Sequence, residues 1–406
     1  MTAVEPGRAD AGTGPVRGLA ALVGSLGVER FTTEFLERRH VRVPAEERSA
    51  DLPLSLADVD EILARSSIRS SDLRVVADGR ETPVGRLAAP GDGTALEQLY
   101  DRYRKGSTIV VKFLDERWQP LRELCADLTA DLDARVQVNV YLTPPGARGL
   151  TPHFDTHDVF VAQVSGVKHW RIYDSPYPLP VPGQSYAEHR PGPDPGEPVD
   201  RFSMRPGDVL YMPRGCVHDA TSGEEASLHL TIGVLPVLWS SLVRDAVRTA
   251  VERDERLRRA VPAGSFTDPA ARAAAEAALV ELLDLVRSLV DPAELLDRAR
   301  RVAEAGLRPD LRGHLLDLEA VRGLEPGTPV RRRERVPCVV ERDGEKVHLR
   351  FHGKRVSLPA RVDEQVRFIS SAREEFRPSD LPGGLDPAGR VVLVKTLVRE
   401  GLLTVG

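Results

Sequence analysis

The chain has 406 residues, more than one ordinary hydrophobic core accommodates, so about two or three domains with ample buried surface are expected. Its 56 Lys and Arg against 61 Asp and Glu leave a net charge of -5, which excludes a global attraction to nucleic acid or to an anionic membrane surface. Cys125, Cys216 and Cys338 are widely separated and lack CxxC spacing, which argues against a disulfide framework and a zinc ribbon and for a reducing, cytoplasmic setting.

Residues 1–16, rich in Gly, Ala, Pro and charge without periodicity, read as a disordered tail. The apolar stretch Leu19 to Leu26 is short, holds Gly24 and Ser25 and lacks a small-residue cleavage pattern, so it reads as a helix rather than an export signal. No run approaches the roughly 18 apolar residues of a membrane span. The segment GLAALVGSLGVERFTTEFLERRHVRV gives a helical pattern and then a short strand, and Leu54 to Ser66 reads as a helix with Ser55 as its N-cap.

From about residue 107 to 235 the pattern turns to strands: STIVVKF, RVQVNVYL, DVFVAQVSG, KHWRIY, DVLYMP and ASLHLTIGV are short β-branched or aromatic runs bounded by Gly, Pro and Asp. Their spacing predicts a sandwich or barrel. Residues 174–200 are dense in Pro and Gly and sustain neither ladder nor helix, so a long loop is expected there. Residues 237–322 show apolar residues at three- and four-residue spacing, as in amphipathic helices that either form an oligomer interface or pack back on the core. A homodimer is expected. After the break at Arg322 to Val336, VPCVVER, KVHLRFHGKRVSLPA and RVVLVKTLVREGLLTVG mix strands and helices. The resulting division is a tail at 1–16, a β-rich domain at 17–236, a helical domain at 237–325 and a small terminal domain at 326–406.

Chemistry concentrates in GLTPHFDTHDVFVAQVSGVKHWRIYD. His153 and Asp155 are two apart at the entry to a strand, so their side chains project the same way and can converge on one ion. A third ligand comes from MRPGDVLYMPRGCVHDA, where Pro206-Gly207-Asp208 makes a turn, Val209 to Met212 a strand, and Pro213-Arg214-Gly215 a second turn delivering His218. Two imidazoles and a carboxylate leave three adjacent positions open on non-haem iron(II), enough for a bidentate cosubstrate and dioxygen. An isolated HxD is an ordinary polar loop pair; its combination with PGDxxYxPxGxxH is what points to a metal.

Lys168 follows the Val164 to Val167 turn, and a hairpin is expected to fold its ammonium back beside the metal, where it meets a distal cosubstrate carboxylate. Asn139 and Tyr141 share a strand face and offer polar contacts to the same pocket, or belong to an ordinary half-exposed strand. His157 and Asp158 are expected to support the ligands or the loop, His169 to face away from Lys168, and His229 to be a structural histidine. His348 and His352 lack ligand spacing. There is no GxGxxG, GxxxxGK[ST] or GxSxG, which removes the usual nucleotide-binding and hydrolase readings.

The order of these motifs, VNVYLTPPGARGLTPHFDTHDVFVAQVSGVKHWRIY followed by RFSMRPGDVLYMPRGCVH, resembles the JmjC-type ribosomal oxygenases. The resemblance implies an α+β chain with a double-stranded β-helix (JmjC/cupin) core, a helical dimerising domain and a winged-helix-like terminal domain. It implies iron(II) on His153, Asp155 and His218, 2-oxoglutarate as cosubstrate with Lys168 on its distal carboxylate, and Asn139 and Tyr141 in the pocket. The substrate class implied is a protein or peptide, a ribosomal protein within the family. Where members often carry a serine near the cosubstrate this chain presents Gly233, and Thr231 on the same strand face is expected to compensate. The same motifs serve JmjC demethylases. Outside the resemblance stand a cupin using zinc or manganese, and a ligand-sensing regulator whose Arg331 to Arg333 cluster contacts DNA; a solvated linker face is the expectation for that cluster.

Overall fold

A computed structural model of the chain describes residues 17–48, 52–65, 68, 70–77, 79–84, 95–190, 192, 194–305 and 311–406. The tail expected at 1–16 lies outside the described residues. The chain divides into two compact units between Pro236 and Val237.

In the first unit, helices α1 (Gly18–Val23), α2 (Val28–Glu34), α3 (Leu56–Arg65), α4 (Ala95–Arg104) and α5 (Gln119–Leu132) accompany eleven described strands. The strands are β1 (Val41–Val43), β2 (Leu73–Ala77), β3 (Arg80–Pro83), β4 (Thr108–Val111), β5 (Arg135–Thr143), β6 (Asp158–Ser165), β7 (Lys168–Tyr173), β8 (Asp200–Met204), β9 (Val209–Met212), β10 (Val217–Ser222) and β11 (Ser227–Leu235). They form an eight-stranded sheet, β1-β9-β6-β11-β5-β4-β2-β3, and a three-stranded sheet, β10-β7-β8. Every pairing is antiparallel. Ser55 caps α3 as expected: Asp58 N donates to Ser55 Oγ at 3.2 Å and Ser55 N to Asp58 Oδ2 at 2.8 Å, a reciprocal box that satisfies two orphan donors.

Strand alternation divides β5 between core and pocket. Val136, Val138, Val140 and Leu142 enter a core with Leu228, Leu230, Ile232 and Val234 of β11 and with Leu19, Leu22, Leu121 and Leu128 of α1 and α5. Each fully buried Leu or Ile there contributes about 1.5–3 kcal/mol. β6 and β7 do not pair as a hairpin. Gly166, at φ +65, turns the chain so tightly that a Cβ there would lie 2.1 Å from Ala226 O, and the turn carries β7 into the other sheet. Lys168 thus reaches the pocket by crossing between sheets. Among its described residues the Pro-rich loop at 174–200 holds one short helix, α6 (Tyr186–His189), closed by a Ser185 and Glu188 capping box, before β8 begins at Asp200.

The second unit begins with α7 (Trp239–Arg253), α8 (Pro269–Leu289), α9 (Pro292–Ala305) and α10 (His314–Ala320). Asp268 caps α8 by accepting Ala271 N at 2.7 Å. β12 (Val330–Arg332) pairs with β16 (Leu403–Val405), while β13 (Val339–Asp343), β14 (Lys346–Phe351) and β15 (Lys354–Pro359) form an antiparallel meander alongside α11 (Asp363–Ser371) and α12 (Pro387–Arg399). The arginine cluster is not a solvated linker. Arg331 and Arg332 lie in β12, and Arg333 is buried, donating to Arg312 O at 2.7 Å and paired with Asp317. A buried carboxylate partner draws the guanidinium inward where sequence spacing alone suggested solvent. No helix among the described residues is long and apolar enough to cross a membrane.

Candidate active site

The half of β5 that leaves the core supplies Gln137, Asn139 and Tyr141 to a cavity of about 280 Å³. In the β5 and β11 register, Thr231 stands opposite Asn139, His229 opposite Tyr141 and Gly233 opposite Gln137. The small sheet adds Lys168 and Trp170 from β7 and His218 from β10, and the segment before β6 adds His153, Asp155 and His157. His153, Asp155, His218, Lys168, Asn139, Tyr141 and Thr231, the metal and pocket residues expected from the sequence, line this one cavity.

The ligating atoms of His153, Asp155 and His218 lie within 4.8 Å of one another. Nδ1 of His153 is 2.8 Å from Thr151 O, and Nδ1 of His218 is 2.9 Å from Cys216 O. A carbonyl can only accept, so Nδ1 carries the proton and Nε2 keeps its lone pair. Such contacts orient metal-binding histidines. Burial, and then the field of His153, press the His218 pKa down to about 4, so the ring is neutral near pH 7. Burial alone raises Asp155, but His153, His218, His157 and Lys112 outweigh it and hold the carboxyl below its usual range. Two imidazoles and a carboxylate fit a divalent metal with open positions.

The motif turns serve this geometry. Gly215, at φ +86, donates its N–H to Asp155 O at 3.0 Å, and a Cβ there would meet Pro180 Cδ at 2.7 Å. Asp158 is not in the cavity. It is buried at the start of β6, where it accepts Arg214 N at 2.8 Å and Tyr211 Oη at 3.2 Å, tying the HFDTHD segment to the PGDVLYMPRG block.

Lys168 is 3% exposed, and its Nζ lies 3.1 Å from Thr143 Oγ1 and 3.3 Å from His229 Nδ1. Among the described residues no carboxylate pairs with it, and burial pushes its pKa down to about 7. A buried ammonium with only neutral partners is well placed to receive a ligand carboxylate. His169, the next residue, is exposed and meets Ser203 Oγ at 2.8 Å, facing away as expected.

His229 departs from the expectation of a purely structural histidine. It lines the cavity, stacks on Tyr141 with centroids 5.0 Å apart and an 8° interplanar angle, and meets Lys168. Burial, then Lys168, holds its pKa well below the ordinary value, so it presents a lone pair to the lysine. Thr143, the Lys168 partner, also went unrecognised in sequence, although it continues the Asn139 and Tyr141 alternation. Gly233 has a physical reason: a Cβ there would lie 2.9 Å from the His157 ring, so the missing side chain leaves room for that imidazole at the cavity wall.

Residues 111–242 match the family model described as JmjC domain. Among curated relatives, the bifunctional lysine-specific demethylase and histidyl-hydroxylase NO66 of Drosophila grimshawi is 30% identical over 262 residues, covering 61% of this chain and 35% of that protein. The Drosophila persimilis protein of the same name is 30% identical over 263 residues, covering 62% and 37%. The chain thus spans little more than a third of the length of these relatives. Among solved structures, the Escherichia coli ribosomal oxygenase YcfD superposes with a TM-score of 0.54 at 18% identity, covering 94% of this chain and 98% of that one. YcfD in complex with cobalt and 2-oxoglutarate gives 0.52 at 17%, covering 93% and 97%. At these identities the structures establish the fold alone. Residues 111–242 thus match a JmjC domain, and the chain is similar in sequence to the NO66 proteins and in fold to YcfD.

Proposed function

We propose that the protein is an iron(II)- and 2-oxoglutarate-dependent oxygenase that hydroxylates a side chain of a protein or peptide, with a ribosomal protein as the first candidate. The observation that carries this reading is Lys168, a buried ammonium without a carboxylate partner among the described residues, opening into the same cavity as the His153, Asp155 and His218 triad. A triad alone suits several metals; the lysine adds a seat for the far carboxylate of a dicarboxylic cosubstrate. That also weighs against a zinc or manganese cupin of another chemistry.

In this reading His153, Asp155 and His218 hold the iron, which when bound with 2-oxoglutarate supplies the oxidation of a C–H bond. Thr143 and His229 fix the Lys168 ammonium, and Tyr141 holds the His229 ring by stacking. Asn139 and Thr231, opposite one another on β5 and β11, supply polar contacts on the cosubstrate wall. The work of the protein is positioning and exclusion of water.

Lysine demethylation is the second reading, since the NO66 relatives are named as lysine-specific demethylases as well as histidyl-hydroxylases. Incubation with iron(II), 2-oxoglutarate, oxygen and ribosomal-protein peptides, followed by mass spectrometry, separates the two. One added oxygen that depends on His218 supports hydroxylation. Loss of a methyl group replaces it with demethylation, and absence of succinate with every peptide rejects the oxygenase.

The helices of the second unit support a homodimer. Trp239, Val243 and Val247 fall at four-residue intervals on α7 and are 79%, 62% and 44% exposed, and α8 buries none of its residues. Trp239→Glu is expected to shift sedimentation toward a monomer; an unchanged dimer rejects this face. We place the protein in the cytoplasm, in keeping with three free cysteines, and read the β13-β14-β15 meander with α10 to α12 as winged-helix-like. The burial of Arg333 weighs against a DNA-contacting arginine cluster.

A further inference from the structure

A second cavity, of about 720 Å³, adjoins the metal pocket and is lined by five arginines, Arg80, Arg148, Arg171, Arg190 and Arg201. The two cavities share one wall. Within a single segment Arg148, Thr151 and Pro152 line the outer cavity, whereas Gly149, Leu150 and His153 line the metal pocket. Asp219, next to His218 and lining the metal pocket, has a fully buried side chain that accepts Arg148 at 3.1 Å and both Nε and Nη2 of Arg171.

The arginines are not equally committed. Arg171 is spent on Asp219, and Arg201 meets the exposed Glu197 at 2.9 Å. Arg80 and Arg190 are exposed and have no carboxylate partner among the described residues, and Arg148 gives Asp219 one Nη while its side chain stays 54% exposed. Free guanidinium forks gathered on one concave surface match carboxylates in planar, two-point contacts.

We propose that this cavity seats an acidic stretch of the polypeptide substrate, flanking the residue presented to the metal. The inference rests on the protein-oxygenase reading and adds a sequence preference to it. An extended peptide advances roughly 3.3–3.6 Å per residue, so a few residues carry it from the metal pocket over the shared wall. A peptide fits better than a nucleic acid. Asp194 and Glu197 interrupt the arginines of this lining, so a peptide can set single carboxylates at Arg80 and Arg190 and pass the two acids with uncharged residues, whereas a phosphate backbone carries charge at every step.

The test is fluorescence anisotropy with the full chain and no added iron or 2-oxoglutarate, so that binding is read apart from turnover. Three labelled probes are compared: a peptide with consecutive Asp and Glu, the same peptide with Asn and Gln, and a single-stranded oligonucleotide. The acidic peptide is expected to bind about tenfold tighter than its amide counterpart, and Arg80→Glu with Arg190→Glu to remove that preference. Arg190→Gln alone is expected to remove part of it, with thermal melts showing that the variants fold. Equal binding of the two peptides, or a preference that survives both charge reversals, overturns the assignment, and tighter binding of the oligonucleotide replaces it with a nucleic-acid surface. Succinate formation by the wild-type protein is measured separately: its absence rejects the oxygenase reading, whereas loss of the peptide preference rejects the acidic seat.

Discussion

His153 and His218 exchange both of their main-chain hydrogen bonds, His153 N to His218 O at 3.2 Å and His218 N to His153 O at 2.9 Å, in an isolated antiparallel bridge. Their rings lie 4.5 Å apart, centroid to centroid. The main chain therefore sets the spacing of the two imidazoles without help from a metal. His153→Ala and Asp155→Ala should leave this bridge intact while removing a ligand. Each variant is expected to retain under about a tenth of the wild-type metal, to form no succinate, and to melt within about 4 °C of the metal-free wild type. Metal analysis and calorimetry check this, and a variant that keeps full metal and turnover rejects the ligand set.

With Lys168 as the proposed seat of the cosubstrate carboxylate, cosubstrate binding is expected to depend on pH. Burial lowers its folded pKa from 10.5 to about 7, so in the free protein the ammonium loses its proton above pH 7. A dicarboxylate that pairs with the ammonium must then take up a proton on binding. The Kd for 2-oxoglutarate is expected to be level below pH 7 and to rise about tenfold per pH unit above it, until the pKa of the bound state is reached. For stability the sign is opposite to that of a salt-bridged lysine. The depressed pKa costs the free fold its full penalty below pH 7, and the penalty fades as pH rises toward 10.5. Calorimetric titration from pH 6 to 9 reads the slope, and Lys168→Met should bind weakly with no slope. A slope unchanged in Lys168→Met assigns the proton elsewhere.

Gly233 and His157 act as a steric pair. The backbone at Gly233 is ordinary extended strand, so an added methyl meets no conformational strain, only the His157 ring at 2.9 Å. Gly233→Ala is expected to destabilise the first unit by about 1–3 kcal/mol, and His157→Ala to remove most of that cost when combined with it. Thermal melts of the two single variants and the double variant complete the cycle. Additive effects would show that the ring is not what the glycine accommodates.

Much of this site was legible because metal chemistry needs few residue types at fixed spacing. His153 and Asp155 declare themselves by their two-residue spacing, although they precede β6 instead of alternating on a strand, and Pro206-Gly207-Asp208 and Pro213-Arg214-Gly215 declare themselves by turn chemistry. What was missed has a common cause: residues whose role depends on pairing partners far away in the chain. β10, VHDATS, shows no apolar alternation because polar His218, Asp219 and Ser222 are buried alongside Val217 and Ala220, with His218 a proposed metal ligand and Asp219 holding two arginines. β3, RETP, is an edge strand that ends in proline, which local propensity discounts. His229 sits in an apolar run that reads as core, and only the register placing it opposite Tyr141 brings it to the lysine. The crossing of β7 into the second sheet depends on the room that Gly166 leaves against Ala226, a contact no local pattern encodes.

Asp317 ties α10 to the last strand of the chain. Its buried carboxylate pairs with Arg333 and accepts Thr404 Oγ1 at 2.7 Å and Val405 N at 3.0 Å, so one side chain joins α10 to the residue just after β12 and to β16. Asp317→Ala leaves a buried guanidinium without its counter-charge and two donors without an acceptor, at a cost of about 3–5 kcal/mol. With two compact units in the chain, a single global unfolding energy is a poor readout. Hydrogen exchange of the β12 and β16 amides reads the local cost, and protection there is expected to fall by about 100-fold or more. Arg333→Met in the same background should restore part of the protection, because the stranded charge is then gone. If protection in β12 and β16 is unchanged in Asp317→Ala, the strand pair is held by packing of Val330, Leu402 and Leu403 rather than by the carboxylate.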